Sequence, residues 1–175
     1  MNEKQIAFII CADNAQYYNE CVWYIEHLVI PEGYSIDVLC IQEAESMAEG
    51  YNAGMQASNA KYKVYMRQEA FILNPNFIVE ILNIFRSDSS IGLIGVQGSQ
   101  VVNTDGEWNL GGIYLFDGKS TENYCVGEDG NGAFDYAKTV AADVLVTQYD
   151  IGFTEENSNW NLNGKIHSQR VQDAG

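Results

Sequence analysis

The chain has 175 residues, 46% of them hydrophobic, which suits a single domain with a sizeable core and excludes intrinsic disorder. Nine Lys and Arg stand against 24 Asp and Glu, a net charge of −15. That balance excludes a nucleic-acid footprint and docking on anionic lipid, and its plain reading is a soluble acidic surface. Cys11, Cys21, Cys40 and Cys125 show no CxxC and no metal-type spacing. The first three sit in apolar runs and read as small buried hydrophobes in a reducing compartment.

The apolar run 6–11 reads as a strand covered on both faces and ends in the turn residues Ala12-Asp13-Asn14. Tyr18, Cys21, Val22, Ile25, Leu28 and Val29 then recur at helical spacing until Pro31 and Gly33 stop the helix. Residues 35–41 form a second expected strand with the polar tip Gln42-Glu43-Ala44-Glu45. Residues 46–59 form a second helix. Gly50 and Gly54 weaken it by about 1 kcal/mol each relative to Ala, so a close-packing or ligand reason is expected for them. The third strand, 62–66, runs into Arg67-Gln68-Glu69. Asn74 and Pro75 mark the next helix start as N-cap and first helical residue, and residues 91–96 form a fourth strand. This β-α-β-α-β-α-β order predicts a parallel doubly wound sheet.

Beyond Gly98 the texture changes to turn signals between short β-prone pieces such as 112–116. The glycine-rich stretch 123–135 reads as a mobile loop and 138–149 as another strand. The tail 152–175 is polar and weakly patterned. The short apolar run near the N-terminus neither spans a membrane nor carries a cleavage pattern, which makes the cytoplasm the default location.

No Gly-x-Gly-x-x-Gly follows the first strand, and Gly92, Gly95 and Gly98 have the wrong spacing for a dinucleotide loop. With His27 and His167 the only histidines, no histidine metal cluster is available. What remains is three strand tips expected on one sheet edge, where ligands of open α/β sheets bind. Acidic groups there can hold a ribose, a base edge or a cation that neutralises a pyrophosphate. The alternative is that strand-end loops are polar anyway.

At this point the first half resembles the family 2 glycosyltransferases of GT-A fold. The corresponding pieces are 6–14, 37–43, Asn52-Ala53-Gly54 and 65–69. A bacterial glycosyltransferase-like subfamily that includes a streptomycin-biosynthesis-type protein is nearer. Its third-strand tip reads His-Gln-Asp, its acceptor-side strand is similar to Ala142-Asp143-Val144-Leu145-Val146, and its Trp-His-Phe-Tyr-Asp helix is similar to the stretch from Trp160 onward. The resemblance implies a GT-A, Rossmann-like, mostly parallel sheet flanked by helices, with a β-hairpin and loop-rich second half. It implies one domain, with 1–98 binding nucleotide and 99–175 facing the acceptor.

The implied activity is transfer of a sugar from a nucleoside-diphosphate sugar to an acceptor in glycan or secondary-metabolite synthesis. The implied substrate-binding residues are Asp13, Asn14, Glu43, Asn52, Arg67, Gln68 and Glu69, with Mg²⁺ or Mn²⁺ held through Glu69. The loop 123–135 is the implied acceptor-side lid.

Two departures stand out. Arg67 occupies the place of the first carboxylate of the metal motif, where a positive charge opposes a metal and can instead contact a diphosphate through its planar fork. The carboxylate expected as general base falls on Gly164, leaving Asp143, Glu155 or Glu156 as candidates. The sequence also stops where those relatives continue, so an element of the family pattern is expected to be missing. A positive pocket is expected around Arg67. A nucleotide- or glycan-binding module without turnover is the alternative. A third reading makes the aromatics Trp108, Tyr114, Phe116 and Tyr124 a partner surface, with core packing as their simpler role. A homodimer is the commonest state for a soluble oligomer.

Overall fold

The computed structural model describes residues 1–101, 108–116, 121–125, 134–154 and 160–175, with backbone alone for 112–116, 121–125 and 160–163. The main sheet begins with β1 (Asn2–Cys11), β2 (Ser35–Ile41) and β3 (Ala60–Arg67). These three are parallel, and Cys11 stands opposite both Ile41 and Arg67, so the three strands end in one row. Their links are α1 (Ala15–Glu26) and α2 (Met47–Ala57), and α3 (Phe77–Ser87) follows β3.

Alternation along the strands sorts the core into two layers. On one face Ile6, Phe8, Ile10, Val64 and Met66 pack with Cys21 and Ile25 of α1 and Ile78, Leu82 and Phe85 of α3. On the other, Ile9, Tyr65 and Leu145 pack with Met47, Ala48 and Tyr51 of α2. Helices on both faces bear out the doubly wound expectation.

The second half departs from a purely parallel sheet. The expected strand 91–96 is shortened to β4 (Leu93–Gly95), and the chain then splits off into a different sheet as β5 (Gln97–Ser99). The second sheet adds β6 (Leu110–Phe116), β7 (Thr121–Cys125) and β8 (Thr139–Val140). Its strand order is β7-β6-β5-β8, with β6 and β7 antiparallel. The expected strand 138–149 is likewise split between β8 and β9 (Val144–Thr147). β9 enters the main sheet antiparallel to both β3 and β4, giving the order β2-β1-β3-β9-β4.

The glycine triplet lies where neighbours approach closely. A Cβ on Gly95 would lie 2.6 Å from Val140 Cβ, one on Gly98 2.9 Å from Ala137 Cβ, and one on Gly92 2.6 Å from Val171 Cγ1. Each missing side chain is the seat of a neighbour, so these glycines serve packing between layers.

Two further corrections concern helix ends. The start expected at Asn74-Pro75 lies two residues later. Asn76 is the N-cap, and Asn74 forms the turn before it, its Oδ1 accepting from Asn76 N at 2.9 Å. The polar tail does fold, as α4 (Trp160–Asp173). Its periodicity is hidden because the docked positions are Gly164, His167 and Ser168. Ser168 Oγ accepts from Val140 N at 3.1 Å and donates to the Gly164 carbonyl at 2.7 Å, while Gln172 Nε2 donates to Lys138 O at 2.8 Å.

Gly50 and Gly54 have the close-packing reason expected of them. A Cβ on Gly50 would lie 2.5 Å from Cys11 Sγ, and one on Gly54 would run into Ile9 Cγ2 and approach Ile9 Cβ to 3.3 Å. We therefore expect Gly54→Ala to destabilise the fold by ~1–3 kcal/mol, because overpacking against β1 outweighs the helix-propensity gain of about 1 kcal/mol. A urea unfolding midpoint at or above that of the parent chain would contradict this packing.

Candidate functional site

Four strand ends meet on one edge of the main sheet. β2, β1 and β3 run out there at Glu43, Asp13 and Arg67. β9 starts there, since Val144 pairs with Met66 and so brings Asp143 into the row of Arg67. From Glu43 to Asp143 the edge is three strand spacings wide, about 14 Å.

Gln68 ties two of these tips together. It is 5% exposed, and its Oε1 accepts from Asp13 N at 3.1 Å and Asn14 N at 2.9 Å. Its Nε2 donates to Asp13 Oδ1 at 2.5 Å and Glu69 Oε1 at 2.9 Å. The amide expected to contact substrate thus makes four hydrogen bonds within the protein. Asn14 is similarly occupied, since its side chain caps α1 by accepting from Gln16 N and Tyr17 N. Asn52 grips a second chain segment. Its Nδ2 donates to Phe153 O at 2.9 Å and its Oδ1 accepts from Phe153 N at 2.8 Å, imitating a strand pair.

Asp13, Glu43, Glu69, Arg67 and Asp143 keep side chains that are exposed or half-buried at this edge. Glu43 takes φ +61°, a left-handed conformation uncommon for glutamate. Arg67 Nε lies 3.4 Å from Glu69 Oε2, both side chains being 42% exposed.

Tyr51 of α2, fully buried, reports on the charges above it. Burial pushes its phenol well above the ordinary value, Cys11, Asp143 and Glu69 push the same way, and Arg67 pulls it down. Arg67, Glu69 and Asp143 therefore lie within electrostatic reach of one phenol. Among the described residues at this edge, the carboxylates of Asp13, Glu43, Glu69 and Asp143 stand around Arg67. Glu155 and Glu156 lie outside the described residues, as do residues 126–133 of the expected lid.

The donor set suits a divalent cation poorly. Glu69 Oε1 already accepts from Gln68 and Oε2 faces a guanidinium. Among the described residues no group of three or more His, Cys, Asp or Glu is arranged to hold a metal. The cysteines also depart from expectation: Cys21 is buried, but Cys11 is only half-buried and Cys40 is exposed. Burial first, then Cys40, pushes the Cys11 thiol up to about 11, and burial first, then Glu69, pushes Cys21 up to about 12, so neither is a thiolate nucleophile at neutral pH.

Three features escaped the sequence. Lys63, fully buried on β3, donates to Ala60 O at 2.7 Å and pairs with Asp150 Oδ1 at 2.6 Å. His167 is 1% exposed and stacks on Phe153 with ring centroids 3.9 Å apart and planes at 11°. Neither of its ring nitrogens has a hydrogen-bond partner among the described residues. Gly164 is closed to any side chain: a Cβ there would run into the Val140 carbonyl oxygen and lie 2.9 Å from Ala142 N.

The profile of a family described as "Glycosyltransferase like family" matches residues 7–175. No curated protein matches the sequence significantly. Among solved structures, the crystal structure of S. aureus TarS 1–349 is similar with a TM-score of 0.59 at 8% identity, over 95% of this chain and 55% of that one. The chain thus spans about half the length of that TarS fragment, and at such identity the likeness concerns the fold. Among the described residues no helix is long and apolar enough to cross a membrane.

Two outcomes are expected. Burial, with Arg170 adding to it, lowers His167 from 6.5 to about 4. Between those values the unfolded chain binds a proton that the folded chain refuses. Stability is therefore complete above about pH 6.5 and falls by ~1.4 kcal/mol per unit as pH drops, about 3 kcal/mol in all by pH 4. His167→Phe flattens this part of the pH–stability curve measured by urea unfolding, and a curve unchanged by that substitution refutes the assignment. Gln68→Ala strips the partner from two backbone donors. It costs ~2 kcal/mol and speeds hydrogen exchange at Asp13 and Asn14, whereas unaltered exchange there would show that the tips do not depend on Gln68.

Proposed function

The chain belongs to the glycosyltransferase-like family, and from that premise we propose that its strand-tip crevice receives a nucleoside-diphosphate sugar whose sugar is passed to an acceptor hydroxyl. The observation that carries this reading is the convergence of Asp13, Glu43, Arg67, Glu69 and Asp143 on one sheet edge. Its width of about 14 Å, from three strand spacings, suits an extended nucleotide sugar. In this reading Asp13 and Glu43 accept hydrogen bonds from the nucleoside, Arg67 contacts the diphosphate with Glu69 beside it, and Asp143 faces the acceptor. Residues 1–98 form the nucleotide side and 99–175 the acceptor side.

Transfer joins the acceptor oxygen to the anomeric carbon as that carbon's bond to the diphosphate oxygen breaks. The nucleoside diphosphate leaves with the bonding electrons, and the acceptor proton passes to a carboxylate. Asp143 is the described candidate for that base. The resemblance of the Arg67-Gln68-Glu69 tip to the His-Gln-Asp of the streptomycin-biosynthesis-type subfamily favours glycan or secondary-metabolite synthesis. Three free thiols, Cys11, Cys21 and Cys40, favour a reducing compartment such as the cytoplasm.

Gly164 favours a second reading, binding without turnover. It stands at the position of the relatives' base, and the backbone at Val140 and Ala142 leaves no room for a carboxylate there.

Calorimetric titration with UDP-, GDP- and dTDP-sugars, followed by assay of released nucleoside diphosphate, tests both. Binding with slow release, lowered about 100-fold or more by Asp143→Asn while affinity is kept, is expected. Binding with no release at all selects the second reading, and no binding to any of the three overturns the donor site.

A further inference from the structure

Resting on that donor-site reading, we propose that the crevice holds the diphosphate without a divalent cation: the Arg67 guanidinium stands where the metal would, and Glu69 is its built-in counter-ion, displaced by the ligand. The geometry of the β3 tip supports this. Glu69 is not a bare carboxylate awaiting a metal. One oxygen accepts from Gln68 Nε2 at 2.9 Å, and that amide is itself held by the Asp13 and Asn14 backbone. The other oxygen faces Arg67 Nε at 3.4 Å.

A hard cation bound there would have to replace the Gln68 donor and tolerate a permanent positive charge within a few ångströms. Arg67 is better suited to the load. Its planar fork matches phosphate oxygens and it stays charged at every working pH. At 42% exposure its pair with Glu69 contributes little net stability, so an incoming diphosphate competes with a weak ion pair at this carboxylate. The counter-ion also has a purpose on a chain of net charge −15: with Glu69 anchored by Gln68, Arg67 stays at the tip when no ligand is bound.

The two roles of Glu69 predict opposite signs for one substitution. A metal ligand changed to Gln loses binding; a counter-ion changed to Gln releases Arg67 and strengthens it. The test is calorimetric titration of UDP, GDP and dTDP, in EDTA and separately in Mn²⁺, into the parent chain, Glu69→Gln, Arg67→Lys and Arg67→Ala. Circular dichroism checks that each variant is folded.

The expected result is binding in EDTA by at least one nucleotide, tightened several-fold by Glu69→Gln and weakened about tenfold or more by Arg67→Ala, with Arg67→Lys between. Glu69→Gln is nearly isosteric and exposed, so it decides the matter even if Arg67→Ala does not fold. Binding that requires Mn²⁺ and is lost in Glu69→Gln overturns this inference and leaves the donor site standing. No binding in either buffer overturns both.

Discussion

The site depends on β9 being held antiparallel between β3 and β4. Without that insertion Asp143 would have no fixed relation to Arg67 at the edge where the parallel strands end. The pairing of Met66 with Val144 sets the register. A slip of one residue would turn Asp143 to the other face of the sheet. Three attachments keep β9 and its flanks in place. Val144, Leu145 and Val146 are buried in the two core layers. Asn52 grips the Phe153 backbone from α2. Helix α4 lies against residues 138–142 and 152–153.

Close approach between layers is obtained by omission of side chains. Gly50 and Gly54 let α2 settle on β1, Gly95 receives Val140, and Gly164 lets α4 reach the backbone before β9. The last of these bears on chemistry as well as packing. A carbonyl oxygen and an amide fill the place a side chain on Gly164 would take, so no carboxylate fits at that position. The polar groups divide in the same way. Gln68, Asn14 and Asn52 spend their hydrogen bonds on the protein, whereas Asp13, Glu43, Arg67, Glu69 and Asp143 remain accessible. Gln68 orders the two strand tips that carry Asp13 and Glu69.

Much of the fold could be read from periodicity. The runs 6–11, 35–41 and 62–66 are strands because they are apolar and short, and the stripes after them are helices because apolar residues recur every three to four positions. The strand tips were legible for the same reason, since each apolar run ends abruptly on polar residues. The roles of those tip residues were not legible. Gln68 and Arg67 are neighbours in sequence and equally polar, yet one is 5% exposed and serves as a tie while the side chain of the other is 42% exposed. Lys63 and His167 are polar by composition and buried by tertiary structure, with Asp150 and Phe153, 87 and 14 residues away, as their partners.

The sequence by itself determined the class of the molecule, the first three strands with their helices, and the acidic character of the chain, because these depend on local pattern and summed charge. Only the tertiary structure decided the splitting of the expected strand 138–149, the antiparallel seat of β9, the folding of the polar tail into α4, and the pairing of Arg67 with Glu69. Each of these is settled by contacts with residues that periodicity does not connect, such as Val140 filling the place of a side chain on Gly95 or Gln68 aligning Glu69. A pattern of hydrophobicity carries no information about which distant neighbour completes it.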